Sequence, residues 1–417
     1  MKRKIAILFD NIGPYHAARI NAASEVCDLL AIELGSNSSE YAWERAEAKN
    51  ARRITINEAG SSDELSLQDL KKRLASILSN FSPEVVFVPG WNSRGALLSL
   101  DWSAKHGVPS VVMSESTEMD MPRSIFKEWI KSNVIAGFSA GLVGGSPHQS
   151  YLERLGMNRS RIFQGYDVVD NEYFTNKANE IRRFELEFRR SLGFSGNFFL
   201  ASARFLRKKN LFGLIKAYAS YRQMFAEYVN RQKNEFKSKD SLGELLTTHW
   251  DLVILGDGPL RRELEDMRAD LKLVDSIHFP GFQQYHILPA YYALAKVFIH
   301  PSTVEPWGLV VNEAMAAGLP VIVSNRCGCA SDLVKEGING WTFNPDIRDE
   351  LAYLMLKICV DRSLRSSMGQ MSSSIIEMWG LKKFASGFSR AAEAAMGVSV
   401  QERSFISFIV LKALIFR

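Results

Sequence analysis

The sequence contains few cysteines and no long apolar run. Its 417 residues include four cysteines, of which Cys27 and Cys359 stand alone within apolar patterns, where a buried thiol is expected. Cys327 and Cys329 form a Cys-x-Cys pair, but no second Cys or His pair lies at zinc-site spacing, so we predict no metal site. No stretch reaches the roughly 18–20 uninterrupted apolar residues of a spanning helix. We therefore expect a cytoplasmic protein.

The N-terminus resembles the start of a secretory signal, because basic residues precede an apolar run. That run, Ile5–Phe9, is too short for a signal, and Asp10, Asn11 and Gly13 end it without a cleavage pattern. We interpret it as a first β-strand.

The charge balance is mildly basic: 51 basic and 46 acidic residues give a formal charge of +5. This excess suits a phosphorylated ligand or an anionic membrane surface and establishes neither. Basic runs are short, and no basic tract is interleaved with aromatics, so we predict no nucleic-acid partner. A hydrophobic content of 46% over this length predicts a globular chain of two or three domains.

Short apolar runs alternate with helical patterns along the chain, which is typical of parallel sheets covered by helices. Two such series predict an α/β protein with two doubly wound, Rossmann-like domains facing across a cleft. Leu67–Leu78 should be a surface helix capped by Ser66. The predicted strands are 5–9, 29–33, 85–88, 110–113 and 141–143, then 198–201, 252–255, 276–279, 297–300 and 321–324.

The domain boundaries follow from interruptions of the alternation between apolar runs and helical patterns. We predict an N-terminal domain over residues 1–172, a linker over 173–194, a second domain over 195–378, and a C-terminal segment over 379–417. Residues 230–246 look like a polar excursion between a helix and its next strand.

The stretch from Glu305 to Pro320 is the most informative part of the chain. Pro306 and Gly308 belong in a loop, while Leu309–Ala317 contains strong helix formers and ends at Gly318. Amide groups at the start of such a helix are a natural seat for phosphate. We therefore expect Trp307, Gly308, Leu309 and Val310 to lie against a diphosphate.

Glu305 and Glu313 flank this seat. Eight residues of continuous helix would separate them by about 12 Å, comparable to the span from the sugar to the ribose of a nucleotide sugar. A lone Glu-x7-Glu would more often be two helix-surface charges. Here the whole sixteen-residue stretch favours ligand binding over two helix-surface charges.

The stretch resembles the signature of the family-4 glycosyltransferases, the retaining enzymes with the GT-B fold, also called glycosyltransferase group 1. Further parts of that pattern follow in the family's order between residues 198 and 345. They are Ala203–Lys209, Leu255–Pro259, Phe279–Phe282 with Tyr291–Ala295, and Gly337–Gly340.

The resemblance implies a role for each matched position. Arg204 and Lys209 would hold the diphosphate, Gly256, Asp257 and Gly258 would form the turn beside the base, and Phe282 would belong to the loop that encloses it. Independently, an Arg fork and a Lys charge suit phosphate oxygens and can stabilise a departing diphosphate. One departure from the pattern is Cys327–Asp332, where many relatives place paired glycines and a glutamate; we expect Asp332 to replace that glutamate.

The first half contains weaker signals. Gly13 fits a glycine loop that approaches the donor phosphate, although Pro14 replaces the usual second glycine. His16 is predicted either to contact phosphate or transfer a proton, or to cap and pack. Trp91 could stack on a sugar or pack at the rim. The loop after residue 113 contains three carboxylates, Glu115, Glu118 and Asp120, of which one could orient an acceptor, while at least two are expected to be solvated loop charges.

The resemblance implies a retaining glycosyltransferase of polysaccharide biosynthesis that uses a UDP- or GDP-linked sugar as substrate and needs no cofactor or metal. Its acceptor would be a saccharide or a lipid-linked saccharide. Glu305, Arg204, Lys209 and His16 are the catalytic candidates. The alternatives are a GT-B nucleotide-sugar epimerase and a catalytically silent nucleotide-sugar-binding partner. The resemblance also implies that the N-terminal domain binds the acceptor, that the second domain binds the donor, and that the segment 379–417 packs back on the N-terminal domain. Within that segment, the apolar residues 404–417 are predicted to pack on the N-terminal domain or to attach peripherally to the inner face of the membrane.

Overall fold

The apolar runs form two parallel β-sheets, each covered by helices. A computed structural model describes residues 2–36, 44, 46–235, 249–398 and 405–416. The chain divides into two compact units: unit 1 comprises residues 1–170 together with 379–417, and unit 2 comprises residues 171–378.

Unit 1 is built on a seven-stranded sheet. Its strands are β1 Lys4–Phe9, β2 Asp28–Gly35, β3 Arg52–Asn57, β4 Val85–Pro89, β5 Ser110–Ser114, β6 Ala140–Val143 and β7 Ile162–Gln164. They lie in the order β3-β2-β1-β4-β5-β6-β7. The helices of this unit are α1 Pro14–Val26, α2 Leu67–Phe81, α3 Arg94–Lys105, α4 Ile125–Ile135, α5 Ser146–Arg154, α15 Leu381–Met396 and α16 Phe405–Ile415.

Helix α2 shows how the sequence pattern becomes packing. The hydroxyl of Ser66 accepts a hydrogen bond from the amide of Asp69 at 3.1 Å, which caps the first turn as predicted. Leu70, Leu74 and Leu78 recur at the helical period and are buried in the core beneath the sheet. The predicted helix is confirmed and extends to Phe81.

Unit 2 is built on a six-stranded sheet. Its strands are β8 Phe198–Ser202, β9 Asp251–Leu255, β10 Ile277–Gly281, β11 Val297–His300, β12 Val321–Ser324 and β13 Gly340–Phe343. They lie in the order β10-β9-β8-β11-β12-β13. The helices of this unit are α6 Asn171–Arg183, α7 Glu185–Leu192, α8 Leu211–Glu235, α9 Arg261–Asp270, α10 Leu288–Leu294, α11 Leu309–Ala316, α12 Ala330–Leu333, α13 Arg348–Val360 and α14 Arg362–Glu377.

Several features differ from the sequence prediction. The apolar pattern does not predict strands β3, β7 and β13, because they are short or contain charged residues at the sheet edge. Residues 173–194, expected as a linker, form most of α6 and all of α7. Residues 230–235 form the end of α8. The rest of the predicted excursion, residues 236–246, lies outside the described residues. Cys27 and Cys359 are buried, as expected.

The strand orders locate a reversal point in each sheet. In unit 1 the order reverses between β1 and β4, and in unit 2 it reverses between β8 and β11. Ligands of doubly wound sheets bind beyond the carboxyl ends of the strands at such points, because the connections leave on opposite faces there. The loops after β1, β4, β8 and β11 are therefore the candidate ligand-binding loops.

Candidate functional site

The loops after β8 and β11 bring Lys209 and Glu305 together. Lys209 ends a single helical turn, Arg207–Lys209, that follows β8, and Glu305 lies in the loop between β11 and α11. Their side chains, only 13% and 11% exposed, form an ion pair. Two predicted site residues, 96 positions apart in the chain, thus meet at the reversal point of the unit 2 sheet.

The Glu305 carboxylate has two further partners. His300 Nε2 lies 2.9 Å from Glu305 Oε2, and the Ser302 hydroxyl donates to the same oxygen at 3.2 Å. Because an ionised carboxylate only accepts, His300 must carry its proton on Nε2. Burial alone would raise the pKa of Glu305, but the His300 hydrogen bond and the Lys209 charge hold this pKa well below its ordinary value. Glu305 is therefore ionised at neutral pH.

The Cys-x-Cys loop supports the backbone on which Glu305 lies. The amide of Gly328 donates to the carbonyl of Glu305 at 3.0 Å, and the amide of Cys329 donates to the carbonyl of Trp307 at 3.2 Å. Both thiols are buried, and burial raises the pKa of Cys327 well above its ordinary value. The loop that departs from the family pattern thus fixes the position of the Glu305 segment. Asp332 lies in the short helix α12 that follows.

Helix α11 begins beside this cluster. Gly308 precedes it with φ +103°, and a Cβ there would lie 3.3 Å from His300 Nε2. Gly308 has no side chain with which to cap the helix start, so it offers no cap to the amides of Leu309 and Val310. Trp307 is buried and donates from Nε1 to Asn312 Oδ1 at 2.9 Å.

Glu313 lies one turn inside α11 and is fully buried. The Tyr292 hydroxyl, also fully buried, donates to Glu313 Oε2 at 2.6 Å. Burial and the adjacent Glu313 charge raise the pKa of Tyr292 well above its ordinary value, so this phenol remains a donor. Residues 305–308 are not helical, so the continuous helix assumed for the two glutamates is not present between them.

The turn after β9 requires its glycines. Gly256 has φ +117°, and a Cβ there would lie 1.9 Å from the carbonyl oxygen of Ala203. Gly258 has φ +154°, and its amide hydrogen-bonds to the Asp257 side chain at 2.7 Å. The turn therefore packs directly on the loop after β8, which contains the half-buried Arg204.

Phe282 is half-buried in the loop between β10 and α10. In the same loop, the Tyr285 ring stacks on Tyr173 of α6, with centroids 5.1 Å apart and planes 13° apart. The segment expected to be a linker therefore contributes an aromatic residue to this side of unit 2.

The predicted residues of unit 1 lie at the carboxyl ends of its strands. The Gly13 amide donates to His16 Nδ1 at 3.3 Å, and the His16 ring packs 4.5 Å from that of Phe9. Burial and the charge of Arg19 lower the pKa of His16 to about 3, so the ring is neutral at pH 7. The structure thus shows the capping and packing contacts of His16 and leaves Nε2–H as its donor.

The remaining acceptor-side candidates differ in the contacts that they make. Trp91 is buried and packs in the unit 1 core. Glu118 forms an ion pair with Arg154, and Asp120 Oδ2 accepts from the Thr117 amide at 2.7 Å. Glu115 is exposed at the end of β5.

Sequence reasoning misses three residues of the unit 2 site. From the apolar pattern, His300 is only the last residue of a strand and Ser302 only follows that strand. Tyr292 is only part of a helix. The signal available is position, since polar side chains at the end of a strand beside a sheet reversal face the ligand crevice.

The chain is similar to known glycosyltransferases. Residues 184–374 match the family described as glycosyl transferases group 1. An uncharacterized glycosyltransferase of Methanocaldococcus jannaschii is 37% identical over 114 residues, which are 27% of this chain and 29% of that protein. The GDP-mannose-dependent alpha-(1-6)-phosphatidylinositol monomannoside mannosyltransferase of Mycobacterium tuberculosis is 34% identical over 125 residues, 28% of this chain and 32% of that protein. The alignments thus span about a third of these relatives or less.

Solved structures extend the likeness to almost the whole chain. Anabaena HepE in complex with UDP and glucose has a TM-score of 0.68 at 19% identity, covering 93% of this chain and 98% of that one. At this identity the likeness shows the fold alone. The chain has the GT-B fold with two Rossmann-like domains. The match over residues 184–374 confirms the sequence resemblance to group 1 glycosyltransferases in that part of the chain.

Proposed function

On the premise that the chain is a GT-B protein with a group 1 glycosyl transferase domain, we propose that it transfers a sugar from a nucleotide diphosphate sugar to an acceptor hydroxyl. The transfer retains the anomeric configuration and needs no metal. The acceptor is a saccharide or a lipid-linked saccharide. The structure solved with UDP and the relative named for phosphatidylinositol monomannoside support these substrate classes.

One observation carries the proposal: Lys209 and Glu305 pair at the sheet reversal, beside a helix start with no side-chain cap. A diphosphate on the amides of Leu309 and Val310 would compete with Glu305 for the Lys209 ammonium. Lys209, Arg204 and the positive end of the α11 dipole then stabilise the charge that develops on the departing diphosphate. These groups provide the positive charge that a metal would otherwise supply.

The two glutamates take different parts in this scheme. Glu305, released from Lys209, accepts hydroxyl hydrogen bonds of the transferred sugar, while Tyr292 holds Glu313 for the ribose hydroxyls. No side chain of the described site stands out as a covalent nucleophile, which favours departure and attack on the same face of the sugar. The neutral Nε2–H of His16 is a hydrogen-bond donor, and its predicted contact with phosphate stays a prediction.

The test is transfer by the purified full chain from a panel of UDP- and GDP-linked sugars in EDTA. Proton NMR of the first-formed product should report the donor's anomeric configuration. Glu305→Gln should lower turnover by about a hundredfold or more, since it removes the charge at the transfer centre. Glu263→Gln is the matched control, because Glu263 is exposed on the same unit and pairs only loosely with Arg207, at 3.4 Å.

Three results would contradict the proposal. An inverted product would refute retention, and activity lost in EDTA but restored by magnesium would refute the role of Lys209 and Arg204. Equal turnover of the Glu305 and Glu263 variants would remove Glu305 from the site. Interconversion of the donor sugar without an acceptor would instead identify an epimerase.

A further inference from the structure

Unit 1 exposes a cluster of large apolar side chains on two neighbouring helices, α4 and α16, and in the residues that flank them. Of the twenty exposed large apolar residues among those the structure describes, nine lie within residues 119–129 and 406–416. We call this cluster the α4–α16 patch. It consists of Met119, Met121, Ile125, Phe126 and Trp129, with Ile406, Phe408, Ile409 and Phe416.

The patch is not a region of loose packing. Helix α16 packs on α3 and α4 through Val410, Leu411 and Ile415, which are buried in the unit 1 core. Two polar contacts fix its position: Ser407 Oγ donates to Asn133 Oδ1 at 3.1 Å, and Lys412 Nζ donates to Asp101 Oδ1 at 2.8 Å. The helices are thus anchored by one face while the opposite face remains exposed.

Exposure within the patch is large. Ile125 is 93% exposed, and Phe416 and Phe126 are 74% and 67% exposed. The Phe126 and Trp129 rings stack with centroids 6.1 Å apart, so they form a continuous aromatic surface. Exposed apolar side chains grouped in this way mark an interaction site on a folded domain.

The charges around the patch favour an anionic partner. Helix α16 has no acidic residue, and the single acid of α4, Glu128, is turned toward Arg123, Lys131 and Tyr151. Lys127 is exposed on α4 between Phe126 and Trp129 in sequence. The outward surface of the two described helices therefore combines apolar side chains with a lysine. In the loop before α4, the carboxylate of Glu118 is paired with Arg154 and that of Asp120 accepts from the Thr117 amide.

We propose that the α4–α16 patch docks on the surface of an anionic lipid bilayer. Trp and Phe with adjacent lysines are the composition of helices that lie in the membrane interface, with the apolar face inserted by roughly 5–10 Å. Each helix has eleven residues, or about 16 Å, which is too short to cross a bilayer. Among the described residues no helix is long and apolar enough to span one.

Vesicle flotation of the full chain tests the proposal, comparing vesicles that contain phosphatidylglycerol with vesicles of phosphatidylcholine alone. We expect binding to the anionic vesicles that weakens with added salt. Phe126→Ser combined with Trp129→Ser should lower the bound fraction about tenfold, because two inserting apolar groups are lost. Ile406→Ser combined with Ile409→Ser should act similarly, which tests the contribution of α16.

Matched controls separate docking from general changes of the surface. Phe184→Ser with Leu186→Ser removes two comparably exposed apolar residues from unit 2 and should leave binding unchanged. Lys127→Glu should lower binding about fivefold, whereas Lys71→Glu, on the exposed side of α2, should have little effect. Because all these side chains are exposed, circular dichroism should show that each variant folds.

Trp129 also provides a direct signal. Its emission should shift to the blue on vesicle binding, and Trp129→Phe should lose that shift while still floating with the vesicles. Equal binding of the patch variants and the Phe184/Leu186 control would overturn the proposal. A concentration-dependent dimer that the patch substitutions dissociate, with vesicle binding absent or unaffected, would show instead that a second copy covers the patch and would also overturn it.

Discussion

Tyr292→Phe removes one hydroxyl that connects the core of unit 2 to its candidate site. That hydroxyl lies 2.6 Å from Glu313 Oε2, and both side chains are fully buried. A hydrogen bond to a charged group is worth about 1.5–3 kcal/mol, and the lost donor leaves the buried carboxylate less satisfied. We expect the unfolding free energy of unit 2 to fall by about 2 kcal/mol.

The same change should weaken nucleotide binding. If Glu313 accepts the ribose hydroxyls, its carboxylate must be oriented before the ligand arrives, and Tyr292 provides that orientation. We expect UDP or GDP, whichever the wild type binds, to bind about tenfold less tightly, equivalent to about 1.4 kcal/mol. Tyr218→Phe is the control, since the fully buried Tyr218 hydroxyl donates to the carbonyl of Trp250 at 2.8 Å.

Urea unfolding and calorimetry with the nucleotide measure the two effects separately. Both variants should lose stability, but only Tyr292→Phe should lose affinity. Equal nucleotide affinity in the wild type and in Tyr292→Phe would refute the role of Glu313 in holding the ribose. Equal loss of affinity in both variants would show that reduced stability alone weakens binding.

Two further predictions concern stability. The pKa of Glu305 is lowered in the fold, so its ion pair with Lys209 stabilises the protein above the ordinary value of 4.5 and loses that effect as pH falls. The difference in unfolding free energy between wild type and Glu305→Gln should therefore stay constant from about pH 7 to 5 and shrink below that range; a constant difference down to about pH 3 would contradict the lowered pKa. Gly256→Ala should cost about 3 kcal/mol or more, because its Cβ would meet the Ala203 carbonyl at 1.9 Å at positive φ. Gly193→Ala, also at positive φ but with nothing within 4 Å, should cost only about 1 kcal/mol, and equal midpoints in urea would refute the steric account.

Local sequence pattern determined many of the secondary-structure elements of this protein. Continuous apolar runs such as 297–300 and 321–324 form strands with the predicted bounds, because a strand of a parallel sheet is buried on both faces. The start of α11 after Gly308 and the Ser66 cap of α2 also follow from neighbouring residues alone. Capping and helix propensity act over one turn, so the order of residues along the chain is enough to predict them.

Only the tertiary structure decided which side chains meet. Glu305 could be placed before a helix from the sequence, but its pairing with Lys209 and His300 depends on β8 and β11 being neighbours in the sheet. The order of strands is set by packing between residues that are far apart in the chain, so a local sequence pattern does not predict it. The edge strand β3, with its charged residues, and the helices over 173–194 escape prediction for the same reason. Likewise, α16 is apolar nearly all round in sequence, and only its packing on α3 and α4 determines which side chains remain exposed.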